Sequence, residues 1–64
     1  MAYVKPVFRT KESFRQAVTS GESVVLWQPF EGDIPENGEV YVEGPLKVWT
    51  AIVELKDGLI VSIN

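Results

Sequence analysis

The sequence predicts a small α+β domain over residues 1–64: one short helix packed on a twisted antiparallel sheet of four to five strands, in the order β-α-β-β-β-β. Three observations carry this. Only residues 10–20 place apolar side chains at helical spacing. Elsewhere β-branched and aromatic runs alternate with clusters of Gly, Pro and Asn, which is the pattern of strands and turns. The chain has 64 residues, 45% of them apolar, enough for one core and too apolar for a disordered chain.

The first strand is YVKPVFR, residues 3–9, with Val4 and Phe8 on one face and Lys5 and Arg9 on the other. Pro6 cannot donate to a ladder, so an edge position or a bulge is expected there. Thr10 is a good N-cap for KESFRQAVTS, in which Phe14, Ala17 and Val18 form a narrow apolar stripe. Gly21 stands where a helix C′ residue belongs. A helix of about ten residues is not stable alone and must pack on the sheet.

SVVLWQP, residues 23–29, reads as a strand buried on both faces or central in the sheet. A loop rich in Gly, Pro and Asn follows, and then EVYVE alternates, with Val40 and Val42 on one face and Glu39, Tyr41 and Glu43 on the other. Gly44 and Pro45 mark a turn into KVWTAIVEL, residues 47–55, and KDG is a hairpin signal before LIVSIN. Three-residue loops at 44–46 and 56–58 place Tyr41 opposite Trp49, Leu55 opposite Leu59 and Val53 opposite Val61. A two-residue turn at Asp57-Gly58 instead flips the last strand. Both faces of this meander are more apolar than one short helix covers. Either the sheet curls into a partly closed barrel, or a second surface, such as another copy of the chain, covers the remaining face.

Small domains usually need a staple. With no cysteine and no histidine, disulfides, zinc and iron–sulfur sites are excluded as remedies, and no cofactor is expected. The opening MAYVKPVFRT has no apolar core of a signal peptide, and VVLW, residues 24–27, falls far short of the roughly 20 residues of a membrane span. A cytoplasmic, membrane-free protein is the expectation.

The lack of His and Cys also removes the common acid–base and thiol machinery. There is no phosphate-cradling glycine loop, so no enzyme is expected. The segment DIPENGEVYVEG resembles a calcium loop only in part. Asp33, Asn37 and Gly38 match its first, fifth and sixth positions, but Pro35 fails at the third and Gly44 stands in place of the last carboxylate. No metal site is expected.

Charge is uneven. Lys5, Arg9, Lys11 and Arg15 against Glu12 give residues 1–20 a local +3, and the remainder carries −6. The leading expectation is a non-catalytic, acidic protein-interaction module, binding a protein partner of basic character through Glu31, Asp33, Glu36, Glu39 and Glu43, with Tyr41 and Trp49 as anchors. The alternative of another class is a nucleic-acid-binding domain using Lys5, Arg9, Lys11 and Arg15. It is the weaker fit, because Tyr41 stands between Glu39 and Glu43 on its own face. A third is an oligomeric scaffold, a homodimer formed through excess apolar sheet surface.

Overall fold

A computed structural model describes residues 2–29 and 32–64 of the chain. The elements are β1 (Ala2–Lys5), α1 (Lys11–Thr19), β2 (Val25–Trp27), β3 (Gly38–Glu43), a 3₁₀ turn (Pro45–Lys47), β4 (Thr50–Lys56) and β5 (Leu59–Ile63). They build the expected small α+β domain, one helix on a curled five-stranded sheet. The strand order is β2-β1-β3-β4-β5. Three pairings are antiparallel, and β1 with β3 is parallel, which makes the sheet mixed. β2 and β5 are the two edges, so the curl is a half-barrel rather than a closed one.

Local chemistry sets the helix ends. Thr10 is extended, and its hydroxyl accepts from the Ser13 N–H at 3.1 Å, which satisfies one of the free donors of the first turn. At the other end Gly21 adopts φ +76°, and the N–H groups of Gly21 and Glu22 donate to the carbonyl oxygens of Val18 and Ala17. This is the paired pattern of a Schellman stop. Phe14 and Ala17 are buried on the inner face of the sheet.

That inner face carries the core: Ala2 and Val4 from β1, Val42 from β3, and Ala51, Val53 and Leu55 from β4, closed by Phe14 and Trp49. Phe14, Val42 and Val53 are the largest fully buried side chains. Burial alternates strictly along β4, so one face is dry and the other wet.

Several expectations are corrected. β1 ends at Lys5, before Pro6, so the proline leaves the ladder and β1 sits inside the sheet rather than at its edge. β2 is the edge strand, not a central one, with Val25 and Trp27 exposed and only Leu26 turned inward. The β3–β4 connection holds six residues, 44–49, not three, and Tyr41 pairs with Ile52 rather than Trp49. An offset of three residues is odd, so it turns every β4 side chain to the face opposite the one expected.

The last hairpin takes the two-residue turn. Lys56 pairs with Leu59, and Asp57 and Gly58 have φ of 52° and 79°, the left-handed pair that a tight hairpin requires and that Gly accepts at no cost. Pairing then slips: Leu55 faces Ile60, but Glu54 faces Ser62, which leaves Val61 as the extra residue of a bulge. The bulge is what allows Ile60 and Ile63, three apart, both to pack on the core.

Candidate functional site

Among the described residues, no helix lies on the other face of the sheet. Alternation directs Tyr3 and Lys5 of β1, Val25 and Trp27 of β2, and Glu39, Tyr41 and Glu43 of β3 to this outer face, with Thr50, Ile52 and Glu54 of β4 beside them. Register sets them in rows. Trp27 stands opposite Tyr3, Tyr3 opposite Glu43, and Glu43 opposite Thr50. The Tyr3 and Trp27 rings lie 5.3 Å apart between centroids, tilted by 38°. That is within the range of favourable aromatic pairs. In the next row Tyr41 neighbours Ile52.

Around this row lies a cleft of 660 Å³. Tyr3, Trp27 and Val25 form one part of its lining, and Pro45 and Trp49 another, with Lys5 and Glu43 as its charged members. This is the size and mainly apolar character of a ligand-binding pocket with a few polar groups.

Glu43 is the unusual member. It is 3% exposed, and its Oε2 is buried with no hydrogen-bond partner among the described residues. Buried carboxylates are normally paired, because removing the charge from water is costly. Two buried or half-buried neighbours flank it. Tyr3 is its register partner on the neighbouring strand, and the chain leaves β3 at Gly44, which is also buried.

Trp49, expected as an anchor that either stands exposed or closes the core, does the latter. It is 9% exposed and belongs to the core. Its ring stacks on Phe14 at 5.3 Å and 23°, and its indole N–H donates to the Phe8 carbonyl oxygen at 2.9 Å. The turn residues 44–49 tuck this side chain inward before β4 begins.

The acidic residues do not form one site. Asp33 and Glu36 are exposed in the loop that precedes β3. That loop is pinned to the β4–β5 turn, where the Gly58 N–H donates to Glu36 O at 2.8 Å and the Asp57 N–H to Asn37 Oδ1 at 3.1 Å. Asn37 therefore serves a turn. Glu43 is at the far end of β3, about 16 Å away from Gly38 at ~3.3 Å per residue. Glu39 is exposed near the start of β3, one residue after Gly38 and directly opposite Glu54. Glu31 lies outside the described residues. No three carboxylates converge to hold a metal ion among the described residues.

The basic residues are also divided. Lys5 is on the outer face and lines the cleft. Arg15 is on α1, across the sheet, where its Nη1 is 3.8 Å from Glu12 Oε2 and its Nη2 donates to Ile63 O at 3.5 Å. Arg9 is exposed in the connection before α1, and Lys11 is half-buried. Lys5 and Arg15 thus occupy opposite faces, not one groove.

Two residues of the cleft, Tyr3 and Trp27, offer aromatic faces that the sequence shows but are not among the site residues expected from it. The available signal is Pro29, which demotes SVVLWQP to an edge strand and so exposes alternate side chains. No helix among the described residues is long and apolar enough to cross a membrane. No family model, curated protein or solved structure matches the chain.

Proposed function

We propose that this protein is a non-catalytic binding module that docks a protein partner on the outer face of its sheet. The observation that carries this reading is the helix-free face itself, where Trp27, Tyr41 and Ile52 are 44%, 45% and 40% exposed beside the apolar cleft. Exposed aromatics next to a concave, apolar pocket are the usual composition of interface hot spots. Glu39 and Glu54 on the same face favour a partner of basic character. A second copy of the chain is one form such a partner can take.

The test is site-specific photo-crosslinking in host cells. A benzophenone side chain at Tyr41 is expected to give discrete adducts that Trp27→Ala abolishes, whereas the same probe at Gln16, exposed on α1, gives none of them. Equal labelling from both positions, or adducts indifferent to Trp27→Ala, would sink the reading. The mass of the Tyr41 adduct separates a foreign partner from a second copy.

A further inference from the structure

We infer that the cleft is a socket for an arginine side chain of the protein partner, with Glu43 as its counter-charge and Tyr3 and Trp27 as its stacking wall. This rests on the docking reading above. Glu43 lines the cleft, and its Oε2 is buried without a hydrogen-bond partner among the described residues. None of the described residues supplies it with a donor, so one brought by a partner would satisfy it. Glu43 is 3% exposed where Trp27 is 44% exposed, so the carboxylate lies below an aromatic rim. A donor must therefore arrive on a long, apolar stem.

Guanidinium fits these conditions better than ammonium. It is planar, so it stacks on aromatic rings while its N–H fork meets a carboxylate, and it is more weakly hydrated, so entering an apolar cleft costs it less. Room is ample: 660 Å³ admits the side chain and part of a flanking residue. The one internal competitor is Lys5, which lines the same cleft. It makes no ion pair with Glu43; the ion pair present among the described residues is Glu12 with Arg15. Lys5 is exposed, so its charge stands at the mouth and weakens, rather than replaces, an incoming cation.

The experiment titrates the protein with acetyl-Gly-Arg-Gly-amide and with the same peptide carrying citrulline, the uncharged isostere of arginine, following the Trp27 and Trp49 indole N–H resonances by NMR. The arginine peptide is expected to bind saturably, about tenfold or more tighter than the citrulline peptide, as a charge-assisted contact requires. Glu43→Gln is expected to erase that difference, and Lys5→Gln to tighten the arginine peptide a few-fold. Equal binding of the two peptides by the unaltered protein overturns the proposal without any variant having to fold. So does discrimination that survives Glu43→Gln, or a loss of arginine binding in Lys5→Gln. A lysine peptide that binds as tightly as the arginine one overturns the assignment to arginine. If the cleft discriminates but Tyr41 gives no adducts in cells, the docking reading fails and the socket stands. If adducts form but the peptides bind equally, the socket fails and the docking face stands.

Discussion

The Trp49 indole N–H donates to the carbonyl oxygen of Phe8, 41 residues away along the chain, at 2.9 Å. The same ring stacks on Phe14, and Phe14 lies 5.7 Å from Phe8. Three segments, the connection after β1, the helix and the β3–β4 turn, meet at this one side chain. Trp49→Phe keeps an aromatic ring there but leaves the Phe8 carbonyl without its donor. It is expected to cost about 1–3 kcal/mol in urea unfolding. Trp49→Ala adds a cavity, about 3–5 kcal/mol in all. For a domain with total stability near ~5 kcal/mol, that is close to complete unfolding.

Gly44 is determined by the same ring. Its φ of −81° is open to any residue, so no conformational demand selects glycine here. A Cβ at this position would overlap Nε1, Cε2 and Cδ1 of Trp49. Gly44→Ala must therefore displace the indole from Phe14, and a loss of about 1–3 kcal/mol is expected. Gly44→Ala combined with Trp49→Leu should recover part of it, since the smaller side chain withdraws. Strict additivity in that double-mutant cycle would show that the two do not touch.

These two positions also show how far the sequence could be read. The helix was legible because its cap, stripe and stop are all local: Thr10, then Phe14, Ala17 and Val18, then Gly21. The alternation of β3 was legible for the same reason. The register of β4 was not, because KVWTAIVEL has no internal break to show that Lys47, Val48 and Trp49 belong to the turn. Leu46 and Lys47 both adopt positive φ, 53° and 58°, which these residue types seldom do, so no residue preference announced the longer loop. Glu43 was visible as an acid on a strand. Its burial depends on β1 lying parallel beside β3, a pairing between residues some forty apart that no local pattern encodes.

Leu46 itself offers a clean test of backbone strain. It is 96% exposed, so it contributes no packing, yet it holds a left-handed conformation. Leu46→Asn substitutes a residue that tolerates that region. A gain of about 0.5–1 kcal/mol is expected from denaturant midpoints at unchanged m-value. No gain would mean that the turn relaxes out of this conformation in solution.

Glu43 links stability to binding in opposite directions. A buried carboxylate without a partner among the described residues destabilises the free protein, since the folded state must desolvate a charge that the unfolded chain leaves in water. Glu43→Gln retains the shape and removes the charge, and a buried amide is far cheaper to dehydrate than a carboxylate. The free variant is therefore expected to be more stable by about 1 kcal/mol, which for a domain of this size raises Tm by about 4–8 °C. Residues retained for folding lose stability when replaced; a residue retained for a ligand gains it, because the strain it imposes is relieved only when the ligand binds. A scanning-calorimetry melt of the two proteins decides between these. A lower Tm for Glu43→Gln would mean that the carboxylate already has a partner within the fold, and the arginine socket would lose the charge that defines it.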